Sequence, residues 1–485
     1  MLSVDEIKKF IEKDQNSKQK KLAKIGVRYY EADHDIQKYR IFYVDGEGKV
    51  QEDTFRSNIR IPHPFFTEIV DQLVQFELSG EDGFLFSDDP QLQQYLDEYF
   101  NANEEFRADF EECVTGAIVK GSDTMYAYKT EDNKTAFQYA DSMGVVEVCE
   151  DETEDHESYV IFWYEDKTTK DNKKIRSIQV WDKAQTYFYC QIDDGAIVLD
   201  KSQKHNPRPH IIDDGEEAIY YDDYGIIPFF RLDYNRQRTS ALMPIKAIID
   251  SYDLMNAGLA NNIQDTAEAL YVVSGFDGND IGELITNVKA KKHIGLPDGG
   301  SVEIKTLDIP YEARKAKMEI DEKNIFRFGM AVNTEGLKDS NATVSVAIKS
   351  AYTLLEMKAN KLETQIKRFL RKLLNIVLAE INEQNGTAYQ CKDVYFRFER
   401  QIPTNALEAA QIELAEAQKR QAEINILLGL RETLDDETII QLICEQLDID
   451  YEDIKGKLPS PEDVAIEQAQ AALTAAPTEG DVIAE

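Results

Sequence analysis

The side chains able to carry chemistry are scattered along this chain. Six histidines stand at His34, His63, His156, His205, His210 and His293, and only His205 and His210 are close, in the loop KHNPRPH. A zinc site needs ligands at short, fixed spacings. No such set is present, so the loop reads as solvated. His156-Glu157 opens like a zinc-protease helix, but Val160 stands where the second histidine belongs. Cys113, Cys149, Cys190, Cys391 and Cys444 are isolated and odd in number, which indicates neither a disulfide framework nor a zinc knuckle and fits a reducing compartment. Phosphate-cradling P-loops, dinucleotide fingerprints and serine nucleophile elbows are missing from the sequence. The acidic clusters Asp151–Asp155, Asp213–Glu217 and Asp222-Asp223 have the chemistry to hold Mg²⁺ for a nuclease. In a chain with 91 Asp and Glu against 55 Lys and Arg they read as solvated faces. No catalytic residue, metal or cofactor is assigned.

Charge is the first constraint on function. The net charge is -36 at pH 7. Duplex DNA carries about one negative charge per ~1.7 Å of its axis, so this surface as a whole repels it. Contact with phosphate must be local. Candidates are Lys289, Lys291 and Lys292 in one cluster, and Lys358, Lys361, Lys367, Arg368, Arg371 and Lys372 along one helix. Opposite an apolar seam such cations are either a solvated face or a surface for neighbouring subunits or DNA. Glu363 and Lys367 have the spacing of an i,i+4 pair.

The elements that must position these groups follow from periodicity. At 485 residues and 42% hydrophobic content the chain has room for several packing units. Its N-terminus lacks the apolar core of a secretory signal, and no apolar run reaches the ~18 residues of a membrane span. A soluble chain in the cytoplasm is the expectation. Residues 3–23 read as a helix with a Ser3–Glu6 capping box, and Tyr29 to Val44 as extended or short-stranded. Phe66, Ile69, Val70, Leu73 and Phe76 have helical spacing, and more helix spans 91–118, ending near Gly121. From Met125 to about Phe230 the pattern becomes antiparallel strands.

Near Ser240 helical spacing returns at Ile245, Ile248, Tyr252, Met255, Leu259 and Ile263, with Pro244 in the first turn. Residues 271–309 are a short β-like excursion, Pro310 opens a second helix, and VNTEGLKDSNATV is a polar loop. The longest helix covers about 343–384, with Ile348, Tyr352, Leu355, Ala359, Leu362, Ile366, Phe369, Leu373 and Ile376 on a coiled-coil-like seam. Asn385 and Gly386 end it, and VYFRFERQIP reads as a strand. Helices follow over 404–430 and 435–456, and the Ala/Pro/Glu-rich tail from Pro459 reads as disordered. The fold class is α+β and multidomain.

The order of these segments resembles the portal proteins of long-tailed phages of Gram-positive bacteria. YYEADHDI at 29–36 is similar to an early Tyr-Tyr…His-x-Ile motif, with Ala32 where Gly is often found. NIRIPHPFFTEIVDQLVQFELSG at 58–80 resembles a second segment. The strongest match is 224–265, with Gly225, Pro228, Asn235, Ser240 and an Ile-Asp-x-Tyr-Asp helix at 249–253. NATVSVAIKSAYTLLEMKANKLE at 341–363 resembles the start of the family's wing helix, with Ser345 where Gly is common.

The resemblance implies a portal fold with a β-rich wing region over 1–239, a stem helix over 240–270 and a clip over 271–309. It further implies a second stem helix over 310–332, a tunnel loop over 333–343, a long wing helix and strand over 344–403, a helical crown over 404–457 and an acidic tail over 458–485. It implies a non-enzymatic ring, expected to be a dodecamer, at one capsid vertex of the virion, assembled in the host cytoplasm. Double-stranded DNA would pass through it transiently during packaging and ejection. Terminase, head–tail adaptor proteins, major capsid protein and scaffolding protein would be its partners, with no membrane involved. Lys338, Asn341, Asn333 and Glu335 are the candidates for the DNA channel, and Lys289, Lys291, Lys292 and Lys305 for clip docking. The alternatives are another virion protein of the tail or baseplate, and a metal-dependent nucleic-acid enzyme using Asp222 and Asp223.

Overall fold

The computed structural model describes Met1 to Arg400 apart from residues 55, 81–82, 131, 150–156, 169–172, 194, 215–218, 267–269, 275–300, 306–309 and 334–344; beyond these it describes residues 419, 421–422, 425–427, 429 and 436–446. The chain divides into two units, Met1–Ile402 and Pro403–Glu485. In the second, the described helix Asp436–Gln446 buries Ile439 and Cys444.

The first unit mixes helices and antiparallel sheets, as an α+β chain should. Its main core is built by three helices: α3 (Phe65–Glu77), α5 (Glu104–Lys120) and α8 (Ser345–Asn385). The predicted apolar positions of α3 are all buried. The seam of α8 is buried at Leu355, Ala359, Leu362, Ile366, Phe369 and Leu373, and half-buried at Tyr352 and Ile376. With 41 residues, α8 is about 60 Å long. Gly or Pro would interrupt so long a ladder, and the helix contains neither. It stops at Asn385, and Gly386 takes φ +65°, the left-handed C-cap that glycine adopts without strain. Phenylalanines 84, 100, 106, 110, 137 and 369 meet in the centre, with Phe106 and Phe110 stacked at 5.6 Å. A three-stranded sheet lies on this core, β4 (Ser122–Lys129) between β5 (Thr135–Ala140) and β14 (Phe229–Asp233).

A second antiparallel sheet meanders through β6 (Val145–Val148), β7 (Tyr159–Thr168), β8 (Lys174–Trp181) and β9 (Gln185–Ile192), with short strands Val198–Leu199 and Arg208–Pro209 both on β9. Side chains alternate between its faces. Ile161, Ile178, Val180, Tyr187 and Tyr189 receive Ile7 and Ile11 of the N-terminal helix α1 (Val4–Gln15), together with Leu2 just before it. Val160, Phe162 and Trp181 pack instead with Ala140, Val145, Tyr126 and Phe229.

Several expectations are corrected. The N-terminal helix is two helices, α1 and α2 (Lys18–Tyr30), because Ser17 accepts from the Lys20 amide and starts a new one. The Ser3–Glu6 capping box is present as expected. Tyr29 and Tyr30 therefore end a helix rather than begin an extended stretch, and only Phe42–Val44 is a strand. Pro244 lies in a turn before α6 (Lys246–Thr266). Among the described residues of VYFRFERQIP, which end at Arg400, the strand is Tyr395–Phe396, because its partner strand is just Leu85–Phe86. Beyond them the Arg397 amide still donates to the Phe84 carbonyl at 3.1 Å, its guanidinium lies 4.7 Å over the Phe86 ring, and Phe398 stacks on Phe84. His210 is buried beside Trp181 and Tyr224, not solvated. Burial holds its pKa below the usual histidine value.

Candidate functional site at the base of a helix pair

Helices α6 (Lys246–Thr266) and α7 (Tyr311–Gly329) pack side by side. Ser251 donates to Asp321 at 3.0 Å, and Gly258 faces Arg314. Residue numbers rise along one helix as they fall along the other, so the pair is antiparallel. Between them the strands Leu270–Ser274 and Ser301–Lys305 form an antiparallel ladder in which Leu270 faces Lys305.

A buried polar network fixes the base of α6. Asp253 is fully buried. Its Oδ2 lies 2.7 Å from His34 Nδ1, and its Oδ1 lies 2.8 Å from His63 Nδ1 and accepts from the His63 amide at 3.1 Å. A carboxylate only accepts, so each ring donates from Nδ1. His63 Nε2 is then the acceptor for Asn256 Nδ2, 3.0 Å away. Tyr29 stacks on His34 at 4.4 Å and donates its hydroxyl to Asp250. Lys246 reaches both Asp35 and Asp250 at 2.7 Å and lies 4.8 Å over the Tyr29 ring. Lys246 and Arg28 draw the Asp35 pKa down to about 2 against the cost of burial. Ala32 makes the turn between Tyr29 and His34 at φ +59°.

The end of α7 is clamped with equal care. Met330 caps it at φ +53°. Lys358 of α8 is buried and donates to the Gly329 carbonyl at 2.7 Å, where the helix dipole favours a cation. Gln72 of α3 holds both backbone groups of Val332, accepting from the amide at 3.1 Å and donating to the carbonyl at 3.0 Å. Asn333 donates to Glu322 at 3.1 Å. Three elements thus fix the backbone that leads into residues 334–344. Burial without a carboxylate partner pushes the Lys358 pKa down to about 8. This corrects the solvated-face expectation for Lys358; Lys361, Arg368, Arg371 and Lys372 are exposed. Lys367 pairs with Glu363 at 2.5 Å, as its spacing predicts.

Two further networks tie the first unit together. Lys120 is buried 2.6 Å from both Asp123 and Asp141, with the Tyr139 hydroxyl at 2.9 Å. Asp123 also accepts from the amides of Thr124 and Ser142. Burial raises the Asp123 pKa to about 6 although Lys120 opposes it. Arg400 reaches Glu77 at 3.1 Å, Asn360 at 2.6 Å and Glu363. Burial, reinforced by Glu363, lifts the Glu77 pKa to about 8 against the pull of Arg400.

Of the residues singled out by sequence, Asn333 is half-buried at the clamp, and Lys305 stands in the ladder opposite Leu270. Lys338, Asn341, Glu335, Lys289, Lys291 and Lys292 lie outside the described residues, as do Asp151–Asp155. Asp222 and Asp223 are exposed. Among the described residues no three His, Cys, Asp or Glu side chains come together as a metal-holding group, and no helix is long and apolar enough to cross a membrane. Lys358 is among the helix cations singled out by sequence, and Gln72, His34 and Asp253 each lie in a segment with a family resemblance. The partners they find in the fold carry no signal in the sequence.

The family profile described as phage portal protein, SPP1 Gp6-like, matches residues 9–448. The chain belongs to that family. The portal protein of Bacillus phage SPP1 is 27% identical over 347 residues, covering 71% of this chain and 67% of that protein. The portal protein of Clostridium phage phiCD119 is 30% identical over 194 residues, covering 39% of this chain and 42% of its own length. Portal proteins are structural, non-enzymatic virion components that work as an oligomeric ring with capsid and packaging partners. In this member of the family, YYEADHDI and the Ile-Asp-x-Tyr-Asp helix are one contact: Tyr29 and His34 bind Asp250 and Asp253 across more than two hundred residues of chain.

Proposed function

We propose that the chain is the subunit of a ring, expected to be a dodecamer, that forms the DNA channel at the portal vertex of the virion. In this reading α6 and α7 are the stem helices within 240–270 and 310–332, and residues 271–309 are the clip. Residues 333–343 are the tunnel loop, α8 is the wing helix within 344–403, residues 1–239 are the rest of the wing, and 404–457 are the crown ahead of the acidic tail 458–485. Terminase docks on the clip during packaging, and head–tail adaptors dock there afterwards. Assembly into the capsid, in the host cytoplasm, involves the scaffolding and major capsid proteins.

The observation that carries this reading is the order of the elements. An antiparallel helix pair brackets a strand ladder, and a clamped backbone then leads through a short segment into a helix of 41 residues. The net charge of -36 supports a conduit, because an acidic wall repels phosphate and leaves DNA mobile. Lys338 is the phosphate-facing group of the tunnel loop, joined by Asn341 and Glu335. Asn333, already bonded to Glu322, holds the base of the loop. Lys289, Lys291, Lys292 and Lys305 face the docking partners.

Negative-stain electron microscopy of the purified protein tests the ring: about a dozen subunits around a channel wide enough for duplex DNA is the expected view. A persistent monomer or dimer at high concentration sinks it. Lys338→Ala should lower packaging or retention of DNA in assembled particles. Unchanged packaging and retention would remove the loop contact from the mechanism.

A further inference from the structure

The hairpin of β1 (Phe42–Val44) and β2 (Val50–Glu52) lacks a core of its own. All six of its strand residues are exposed. Its register pairs Phe42 with Glu52 and Val44 with Val50, and opposite residues share a face. Phe42, Val44 and Val50 therefore line one face, exposed by 58%, 66% and 70%, with Glu52 at its end paired to Arg40 at 3.3 Å. An isolated two-stranded hairpin is marginal in water, and an apolar face on it asks for a cover. The hairpin is nonetheless well built. Asp45 accepts from the amides of Glu47 and Lys49 and fixes the turn, with Gly48 at φ +82°.

It is also held in place. The segment after it runs antiparallel along α6, with the amides of Ser57, Ile59 and His63 donating to Asp265, Asn261 and Asp253 at 3.0, 2.6 and 3.1 Å. A hairpin merely trailing into solvent would need no such strap.

The same chain displays a surface of matching chemistry. On α7, Ala313, Ala316, Ile320, Lys323 and Arg327 are all exposed and lie on the face away from buried Asp321, Ile325 and Gly329. Ile320 is 56% exposed. The two alanines and Ile320 make an apolar stripe with room for a flat strand pair, and two cations continue it. The exposed acids of α7, Glu312 and Glu319, stand at the edge of that face. The hairpin segment 41–53 carries Asp45, Glu47, Glu52 and Asp53 against Lys49, which pairs with Glu47 at 2.9 Å and leaves the turn net acidic. Apolar face thus matches apolar stripe, and acidic turn matches basic end.

We infer that the hairpin of one subunit seats on α7 of the next, with Phe42, Val44 and Val50 over Ala313, Ala316 and Ile320. The carboxylates Asp45 and Glu47 meet Lys323 and Arg327. The two surfaces are unlike, so the contact is head-to-tail and closes only as a ring. The inference rests on the ring proposed above and names the interlock within it.

The test is disulfide cross-linking of assembled rings carrying Val50→Cys and Ala316→Cys together, with wild type as the background for the five native cysteines. The expected result on a non-reducing gel is a ladder of covalent oligomers. Each single variant should remain at background, and a mixture of the two should stop at dimers. Rings of the double variant that stay uncross-linked would overturn the interlock, as would Val50→Cys linking to itself. Cross-links that appear only in virions, to a different protein, would assign the hairpin to another phage component. Absence of rings in wild type would instead defeat the ring reading itself. A second variant, Phe42→Ser/Val44→Ser/Val50→Ser, should keep its circular dichroism and melting temperature while the ring fraction at fixed concentration falls at least tenfold. An unchanged ring fraction would overturn the proposal.

Discussion

Two buried lysines in the first unit behave in opposite ways. Lys120 and Lys358 are equally inaccessible, each 7% exposed. Lys120 faces Asp123 and Asp141, and its pKa rises because their charges outweigh the cost of burial. Lys358 faces a backbone carbonyl, and burial alone lowers its pKa to about 8. Burial therefore does not settle what a buried cation is for; its counter-charge does. The Lys120 network pins the end of α5 to the sheet. Lys358 closes the end of α7 at the backbone leading into residues 334–344, with a charge that titrates near neutrality.

The largest effect should come from the paired site. Lys120→Met leaves Asp123 buried and uncompensated, and loss of one partner in such a pair costs about 3–5 kcal/mol. The urea midpoint of the variant should fall accordingly. A shift of less than about 1 kcal/mol would mean that the network is solvated and the contrast with Lys358 is empty.

Asp253 is the anionic counterpart, a buried carboxylate whose partners are imidazoles rather than ammonium groups. Asp253→Leu strands the donors of His34 and His63, and loss of charged hydrogen bonds at a buried site should cost about 2–3 kcal/mol. The same variant should release Tyr29, read as faster amide exchange in residues 29–36 than in α5.

Lys358→Met should cost about 1 kcal/mol or less at pH 7, since it removes one hydrogen bond together with a desolvated charge. Its signature is the pH profile. The folded pKa of about 8 lies below the ordinary 10.5, so between those values the unfolded chain binds more protons. Stability then rises with pH in wild type relative to Lys358→Met, by on the order of 1 kcal/mol per pH unit. Glu77 works in the opposite sense, its raised pKa making stability fall as pH rises from 4.5 to about 8. Parallel profiles for wild type and Lys358→Met from pH 8 to 10 would show that Lys358 is not desolvated.

The smallest effect is one of backbone rather than charge. Ala32 sits at φ +59°, where a non-glycine residue is strained. Ala32→Gly should stabilise by about 0.5 kcal/mol, relief of strain being partly offset by the freer unfolded chain. A loss of stability would show that the turn before His34 is not strained.

Much of this was legible in the residues. The seams of α3 and α8 are apolar at helical spacing and are buried as that spacing demands. The seam leading into and along α6 was legible only in part: Ile245 is buried, Ile248, Tyr252, Met255 and Leu259 are half-buried, and Ile263 is 53% exposed. Periodicity reports which face is apolar, not whether a single subunit covers it. VYFRFERQIP failed differently. Its alternation is real, but a strand can be no longer than its partner, and Leu85–Phe86 offers two residues.

By itself, then, the sequence determined the α+β class, the long helices, the acidic balance and the order of segments that marks a portal protein. Each of these is local or additive along the chain. Only the tertiary structure decided that YYEADHDI and Ile-Asp-x-Tyr-Asp are one contact, and that Lys358 is a cap rather than a solvated cation. It also left the face of Phe42, Val44 and Val50 without a cover. Such facts depend on which distant groups share a small, water-poor volume. No pattern along the chain encodes that, because desolvation and pairing act through space.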